Sequence, residues 1–378
     1  MTHLFPTYQR LPIELVSGSG TVVYDEQGKH YLDFTSGIGV CNLGHVNPLV
    51  HQAVSAQLDQ IWHTSNLFLN QKQERVAALL AKGNLTYAFF CNSGAEANEA
   101  AIKLARKHTG RTKMITFEQS FHGRTFGAMA ATGQEKVKTG FGKMLEGFIY
   151  APYNDFATFQ NLLDKDVAAV MLEIVQGEGG VHPASHEFLQ KVSGLCKQNG
   201  TLLIVDEVQT GMGRTGTMYA YEQAGIEPDI ITLAKGLGNG LPIGAIVGDA
   251  KLFATFSNGT HGSTFGGNQV VLAAAETVVT QISNAAFLAE VREKAAYFRG
   301  KLATLTEYEV VKEVRGEGFL LGIELQTNAG GILQKARENG LLLLSAGEKV
   351  VRIMPPLTVS RQELDAAFLV LQKILKEG

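Results

Sequence analysis

The sequence predicts an α/β protein built around a large, mostly parallel β-sheet. Two apolar runs, residues 202–205 and 230–234, have the length and β-branched content of strands that are buried on both faces. Segments with helical spacing alternate with such runs through the middle of the chain, as in β-α-β units. Asp206 directly follows the first run and Lys235 the second. Because open α/β sheets bind ligands at the carboxyl ends of their strands, we expect both side chains at one binding edge.

The first 50 residues predict an irregular arm followed by a β-hairpin. Residues 21–24 and 31–34 resemble strands and flank the sequence DEQG, which is typical of a turn. The next stretch, SGIGVCNLGH, has glycines at positions 37, 39 and 44. Such a loop either brings backbone close to a ligand or forms a tight structural turn, and the spacing leaves both open.

The central region predicts alternating helices and strands. Residues 51–81 have helical spacing with an interruption near 63–66. Each later strand is a short apolar run between turn residues, and each helix repeats apolar residues every three to four positions. Besides the two runs above, the predicted strands are 87–91, 113–117, 167–173 and 243–247, and the predicted helices are 96–107 and 188–198.

The chain changes character after HGSTFGGN, and a long apolar helix is predicted at 269–282. Further helices are predicted at 286–304, 331–339 and 361–376, and strands at 309–314, 318–324, 341–344 and 350–353. A chain of 378 residues with 45% hydrophobic content can bury more than one core. We therefore predict a large cofactor-binding domain at 51–265 and a smaller α+β domain made of residues 1–50 and 266–378.

The composition argues against several classes of protein. The 33 basic and 36 acidic residues nearly balance, which is unlike a nucleic-acid binder. The three cysteines are too few and too scattered for a disulfide framework or a zinc site, and no metal site is predicted. No run approaches the roughly 18 apolar residues of a membrane span, and no signal segment begins the chain. We expect a soluble, cytoplasmic protein.

Lys235 is the first candidate for chemistry. It follows a buried strand and lies between Ala234 and Gly236, which leave room for a bulky adduct. Burial lowers the pKa of a lysine and makes its amine a nucleophile towards aldehydes. A lysine that reaches from a strand end to solvent is the structural alternative.

Asp206 and Gln209 are the second candidates. A carboxylate next to a pyridine nitrogen keeps that nitrogen protonated, which lets the ring accept electrons from a substrate carbanion. Gln209 has an amide that can donate to a phenolic oxygen of the same ring. Acids at the start of a helix are the common alternative for this pattern. An amine and a carboxylate at neighbouring strand ends together suit pyridoxal phosphate.

Two loops supply further candidates. The turn Asn92-Ser93-Gly94-Ala95 lies between a strand and a helix, where backbone N–H groups favour a phosphate, although a plain capped helix has the same pattern. In the loop after the next strand, Phe121 or His122 could stack on a cofactor ring. Arg124 could bind a substrate carboxylate through two hydrogen bonds.

The segment GMGRTG at 211–216 matches the glycine pattern of dinucleotide-binding proteins. In that fingerprint the glycines directly follow the strand, whereas here five residues with two acids intervene, and they would repel a pyrophosphate. No helical pattern follows Gly216 either. We therefore do not predict a nicotinamide or flavin site.

Taken together, these stretches resemble the class III, or ω-amino, aminotransferases of pyridoxal phosphate fold type I, and within them the acetylornithine branch most. The matching segments run from about residue 33 to 358 in the family's order. They are FTSGIGVCNLGH, FFCNSGAEANEAAIKLAR, TFEQSFHGRT, MLEIVQGEGGV, LLIVDEVQTGMGRTG, DIITLAKGLGNGLPIGA, HGSTFGGN and VRIMPPLTV.

The resemblance implies a role for each matching residue. Lys235 would hold the cofactor covalently and then act as the base, and Asp206 and Gln209 would contact the ring nitrogen and the phenolic oxygen. The remaining cofactor contacts would come from Phe121, Val208, Gly94 and Ala95, with Thr264 supplied by the partner subunit of a homodimer. Arg124 and Ser263 would contact the acetylornithine chain.

Glu178 and Arg352 match a second functional pair of the family. There the glutamate covers the arginine while the amine donor reacts and releases it for the 2-oxo acid. An unpaired buried arginine is unfavourable, which provides a physical reason for the switch. Glu173 matches a family active-site acid without an assigned role, and none is assigned to Tyr8 or Cys91.

The implied reaction moves the δ-amino group of N2-acetylornithine to 2-oxoglutarate in a ping-pong sequence that serves arginine synthesis. Ornithine, succinylornithine and 4-aminobutyrate aminotransferases share the motifs and stay alternatives. A glutamate-1-semialdehyde-type aminomutase is a further alternative, and so is a binding protein of the same fold. The intact set of Lys235, Asp206, Gln209 and Thr264 argues against the binding protein.

Overall fold

The computed structural model describes residues 3–377 of the chain. The strands are β1 (Leu15–Ser19), β2 (Val22–Asp25), β3 (His30–Asp33), β4 (Leu85–Cys91), β5 (Lys113–Phe117), β6 (Phe148–Ala151), β7 (Val167–Glu173), β8 (Val175–Gln176), β9 (His182–Pro183), β10 (Leu202–Asp206), β11 (Ile230–Leu233), β12 (Gly244–Asp249), β13 (Val311–Glu317), β14 (Leu320–Leu325), β15 (Leu341–Leu342), β16 (Leu344–Ser345) and β17 (Val350–Ile353).

The α-helices are α1 (Ser36–Gly39), α2 (Pro48–Leu58), α3 (Gln71–Leu80), α4 (Gly94–Thr109), α5 (Phe126–Ala131), α6 (Phe156–Leu162), α7 (His186–Asn199), α8 (Tyr221–Ala224), α9 (Gln269–Ile282), α10 (Ala285–Ala303), α11 (Gly330–Glu338) and α12 (Arg361–Lys376). Short 3-10 helices lie at Glu135–Val137, Lys235–Leu237, Ala250–Thr255 and Thr304–Glu307.

The predicted large sheet is confirmed, with seven strands in the order β4-β12-β11-β10-β7-β5-β6. Only β12 runs antiparallel to its neighbours, and the strands from β11 to β6 pair in parallel. β10 and β11 lie side by side, with Asp206 opposite Thr232. Since Lys235 follows three residues after Thr232, the sheet releases Asp206 and Lys235 at the same carboxyl edge.

Both faces of this sheet are covered, as expected for strands that are apolar throughout. Successive residues of β10 alternate between two hydrophobic clusters. Ile204 packs in the cluster that contains the apolar side of α4, whereas Leu203 and Val205 pack in the cluster that contains α7 and α9. Because both faces are apolar, the polar side chains that follow these strands are concentrated at the carboxyl edge of the sheet.

The structure also has two four-stranded sheets, in the orders β1-β2-β3-β15 and β13-β14-β17-β16. The prediction of one continuous strand at residues 341–344 is wrong, because this segment is divided between the two sheets. Leu341–Leu342 pairs in parallel with β3, and Leu344–Ser345 pairs antiparallel with β17. The domain division at residues 50 and 265 stays a prediction.

Eight of the strands and α-helices were not predicted: β1, α1, α5, β6, α6, β8, β9 and α8. Each has seven residues or fewer, so its periodicity is too brief to separate from that of a loop. Among the described residues, no single helix is long and apolar enough to cross a membrane. Only α9 and the helical segment Ala285–Glu307, which are bent by 71° at their junction, reach that length and composition in combination.

Candidate active site

A cavity of about 470 Å³ lies at the carboxyl edge of β10 and β11. It is lined by all the predicted site residues except Ser263, Thr264 and Arg352, namely Gly94, Ala95, Phe121, Arg124, Glu178, Asp206, Val208, Gln209 and Lys235. The amino end of α4 and the β5–α5 and β10–α8 connections contribute six of these nine residues. Residues that are up to 141 positions apart in the sequence therefore meet at one edge of the sheet, as predicted.

A larger groove of about 760 Å³ lies at the opposite, amino edge of the sheet. Several of its charged groups are already engaged with one another or with the backbone. Lys251 pairs with Asp229, and Arg111 donates to the carbonyl oxygens of Val167 and Gly200. No buried side-chain atom without a hydrogen-bond partner lines this groove among the described residues, in contrast to the smaller cavity. We therefore identify the smaller cavity as the candidate active site.

Lys235 begins a short 3-10 helix directly after β11 and faces the cavity. Its φ of 45° lies in the left-handed region, which non-glycine residues rarely adopt outside functional sites. Burial lowers the pKa of its ammonium group, as predicted, although the nearby Glu178 carboxylate acts in the opposite direction. A lysine whose pKa is lowered in this way presents a larger fraction of free amine at neutral pH.

Asp206 is held by three hydrogen bonds that leave one of its oxygens available. Its Oδ2 accepts from Asn98 Nδ2 at 2.9 Å and contacts His122 Nδ1 at 2.7 Å. Its Oδ1 accepts only the Val208 N–H, at 3.0 Å. A carboxylate oxygen has two lone pairs, so Oδ1 can accept another N–H from the cavity.

Asn98 and His122 are functional residues that the sequence analysis did not assign to Asp206. The pKa of buried His122 is raised: burial acts to lower it, but the Asp206 carboxylate outweighs burial. A protonated His122 places a positive charge against Asp206 Oδ2. The only sequence signal for Asn98 was its position on the buried side of α4, one residue after buried Ala97.

The amino end of α4 provides an anion site at the other end of the cavity. Ser93 caps the helix by accepting the Glu96 N–H, and Gly94 and Ala95 lie in the first turn, whose N–H groups have no partners within the helix. A Cβ atom on Gly94 would lie 2.8 Å from Cγ1 of Val208. Glycine at 94 therefore lets the helix end approach the Val208 side of the cavity.

Arg352 and Glu178 form an ion pair beside the cavity, as predicted. Arg352 also donates to the Gly177 carbonyl oxygen at 2.9 Å and to Gln209 Oε1 at 3.2 Å. Burial raises the pKa of Glu178, but the charges of Arg352 and Lys235 outweigh burial and hold it below its ordinary value. The amide of Gln209 donates to Glu178 at 3.1 Å, so its contact with a phenolic oxygen stays a prediction.

Glu173 lines the same cavity and accepts the Phe121 N–H at 2.9 Å. Burial raises the pKa of its carboxyl group to about 7.

The Phe121 ring lies near the guanidinium of exposed Arg124, with 5.7 Å between Cζ and the ring centroid. Arg124 is therefore free to reach a ligand at the cavity mouth.

Ser263 and Thr264 do not join the other predicted residues within the one chain. They line a separate cavity of about 340 Å³, which shares Asn92 with the first. Ser263 Oγ accepts from Asn92 Nδ2 at 3.2 Å, and Thr264 is exposed. This position is consistent with the predicted role of Thr264 in a neighbouring subunit, which stays a prediction.

The residues present fit pyridoxal phosphate. The free lone pair of Asp206 suits a protonated ring nitrogen, the amino end of α4 suits the phosphate, and the amine of Lys235 suits the aldehyde. The cavity is also open at Gly94, where a side chain would collide with Val208. Asn98 Oδ1 and Arg352 Nε are buried without a hydrogen-bond partner, so the site has unused polar groups.

Comparison with known proteins agrees with this chemistry. Residues 5–375 match the family described as aminotransferase class-III. An acetylornithine aminotransferase of Listeria monocytogenes is 57% identical over 377 residues, which cover 100% of this chain and 98% of the relative. The structure of ornithine aminotransferase from Toxoplasma gondii superposes with a TM-score of 0.95 at 31% identity, covering 99% of this chain and 93% of that one. That of N-acetylornithine aminotransferase from Stenotrophomonas maltophilia has a TM-score of 0.84 at 37% identity, covering 98% and 97%.

Proposed function

The chain belongs to the class-III aminotransferases, which are pyridoxal phosphate-dependent enzymes, and we propose that it moves the δ-amino group of N2-acetylornithine to 2-oxoglutarate. The products would be N-acetylglutamate 5-semialdehyde and glutamate, in arginine synthesis. The observation that supports this donor best is the 57% identity to an acetylornithine aminotransferase over the whole chain. The three free thiols suit a reducing compartment, so we also propose a cytoplasmic location.

The cavity residues would divide the work of the reaction. Pyridoxal phosphate, when bound, supplies an aldehyde for the donor's amine and a ring that accepts electrons. Lys235 Nζ takes the proton from the reacting carbon of the substrate. Asp206 Oδ1 would accept the N–H of the ring nitrogen, and the first turn of α4 would bind the phosphate.

Glu178 and Arg352 would adapt the same cavity to two different substrates. The amine donor has no carboxylate at its reacting carbon, so the arginine is best kept neutralised by Glu178 while that substrate reacts. The 2-oxo acid has one, and Arg352 can bind it through two parallel hydrogen bonds once Glu178 withdraws. Arg124, at the cavity mouth, would hold the acetylated end of the donor.

The proposed donor is tested by following absorbance of the cofactor-loaded enzyme while single amine donors are added. We expect N2-acetylornithine and glutamate to convert the cofactor, with acetylornithine at least about tenfold faster than ornithine, since one lost polar contact corresponds to roughly that factor. Faster conversion by ornithine or 4-aminobutyrate would refute the donor while leaving the family and the cofactor residues in place. Net isomerisation of an amino substrate in the absence of a 2-oxo acid would favour an aminomutase.

The Glu178→Gln variant tests the switch. Removing the carboxylate leaves Arg352 without its counter-charge, so we expect activity with glutamate as the donor, relative to acetylornithine, to rise about tenfold. The measurement is the ratio of kcat/KM for the two donors. Glu187→Gln is the control, because Glu187 pairs with Lys191 on the surface of α7. An unchanged ratio in Glu178→Gln would contradict the role of this pair.

We further propose that the enzyme is a homodimer. The connection between α2 and α3 exposes large apolar side chains, with Trp62 64% and Leu67 93% exposed. The same connection bonds to the segment that bears Thr264, because Asn66 Nδ2 donates to the carbonyl oxygens of Ser263 and Gly266. An apolar patch of this kind is typical of an interface, and a second copy would deliver Thr264 to the neighbouring cavity.

Mixing two inactive variants tests this arrangement. In a dimer of one Lys235→Ala subunit and one Thr264→Ala subunit, both lesions would fall in one cavity and the other would be intact. We expect the mixture to regain activity above that of either parent. With random pairing, half of the dimers contain one of each subunit and therefore one intact site of two, so the activity should reach up to about a quarter of the wild-type value. No gain over the parents would show that Thr264 acts within its own chain.

A further inference from the structure

Arg214, within the GMGRTG segment, is fully buried with 0% exposure. A buried arginine is normally paired with a carboxylate, but the hydrogen bonds of this one among the described residues go to three neutral oxygens. Its Nη1 donates to the carbonyl oxygens of Phe319, at 3.2 Å, and Pro355, and its Nη2 to Asn42 Oδ1 at 2.6 Å. Burial accordingly lowers its pKa to about 9.

The two carbonyl partners lie at the ends of β17, which carries Arg352, and of its partner strand β14. Phe319 directly precedes β14, and Pro355 follows β17 by two residues. These strands pair with each other, with Gly322 opposite Arg352. The backbone of Arg214 adds a third link, because its carbonyl oxygen accepts the Phe319 N–H at 2.9 Å. Arg214 therefore binds both strands of the ladder in which Arg352 lies.

The third partner lies against the segment that carries Lys235. The Asn42 side chain donates to the Met212 carbonyl oxygen at 2.7 Å. A Cβ atom on Gly236 would lie 2.4 Å from Asn42 Nδ2, so the amide packs directly on the residue that follows Lys235. Lys235 itself has the left-handed backbone described above, which its surroundings must maintain.

We propose that Arg214 is a positioning residue that fixes Arg352 relative to Lys235 and thereby sets the affinity for the 2-oxo acid. One planar guanidinium connects the two segments, and its rigid fork suits that purpose better than a flexible ammonium group. If stability alone were needed, a well-packed apolar side chain would serve as well as an uncompensated buried charge. This inference rests on the proposed function, in which Arg352 binds the carboxylate of 2-oxoglutarate.

The Arg214→Lys variant of the cofactor-loaded enzyme tests the inference. We expect KM for 2-oxoglutarate to rise about tenfold, with changes below about threefold in kcat and in KM for acetylornithine, since only the 2-oxo acid uses Arg352. Binding of glutarate, a dicarboxylate that cannot react, should weaken about tenfold by titration calorimetry. Equal losses for both substrates would overturn the inference, because they would indicate general damage to the fold.

Arg106→Lys is the matched control. Arg106, at the end of α4, also donates to a backbone carbonyl oxygen, that of Glu146 at 2.7 Å, and burial also lowers its pKa. We expect this variant to lose some thermal stability and to keep both KM values. If Arg214→Lys does not fold, Asn42→Ser keeps the arginine and removes the amide that connects it to Met212 and Gly236, and the same selective rise in KM is expected.

A double-mutant cycle with Arg352→Lys separates positioning from an independent structural effect. If Arg214 acts through Arg352, the two substitutions should be strongly non-additive in kcat/KM for 2-oxoglutarate. Additive losses would overturn the inference. If Arg352→Lys alone leaves the use of 2-oxoglutarate unchanged, the proposed function itself is refuted. If Arg352→Lys impairs the use of 2-oxoglutarate but Arg214→Lys affects both substrates equally, only the role of Arg214 is refuted.

Discussion

Replacing Lys235 with alanine is expected to lower turnover by about 10⁴-fold, because positioned proton transfer contributes up to that factor. The side chain is the only amine that lines the described cavity, and its burial already favours the free base. The measurement is turnover of acetylornithine with 2-oxoglutarate, together with borohydride reduction and peptide mapping. Reduction should attach the cofactor to the peptide that contains Lys235 in the wild type and to none in the variant.

Lys251→Ala is the control for this experiment. Lys251 lies at the amino edge of the same sheet, where it pairs with Asp229, and its side chain is half exposed. We expect this variant to keep wild-type turnover and the wild-type labelled peptide. Covalent attachment that persists in Lys235→Ala would show that another residue holds the cofactor and would refute the assignment.

Asp206→Asn is expected to lower kcat by about 10²- to 10³-fold, the effect of removing one preorganised electrostatic contact at a reacting group. A neutral amide retains the shape of the side chain but cannot keep a ring nitrogen protonated. We expect the absorbance maximum of the bound cofactor to shift as well, which a purely structural loss would not produce. Asp229→Asn removes a carboxylate from the opposite edge and should leave both properties unchanged.

We also expect Asp206→Asn to change how the stability of the protein depends on pH. The raised pKa of His122 means that the pair with Asp206 stabilises the fold fully below about pH 6.5, the ordinary histidine pKa, and less as the pH rises through the raised value. In Asp206→Asn burial is opposed only by the weaker effect of Glu173, so the pKa of His122 should fall and acid should destabilise the variant. The difference in the free energy of unfolding between the wild type and Asp206→Asn should therefore be largest near pH 6 and become smaller as the pH rises. Urea unfolding of the cofactor-free proteins measures this difference, and a gap that widens with pH would contradict the ion pair.

The sequence predicted the large sheet and the positions of its two central functional residues with little error. β5, β7, β17, α9 and α12 have the predicted bounds, because each is a run whose period or β-branched content differs clearly from its flanks. Parallel strands release their next residues at one edge, so the meeting of Asp206 and Lys235 followed from strand direction alone. The ion pair of Glu178 with Arg352 was predicted from the family resemblance rather than from local pattern.

What the sequence determined by itself, then, is most strands of the large sheet, the parallel direction of its central strands and the residues that follow those strands. The tertiary structure decided which side chains support those residues: His122 and Asn98 bind Asp206, and Arg214 binds the backbone next to Arg352. Such contacts join positions up to 141 residues apart, and no periodicity in the chain records a distance between two loops. The physical reason is that strand formation depends on local alternation and burial, whereas a hydrogen bond between distant segments exists only once the packed core has fixed their separation.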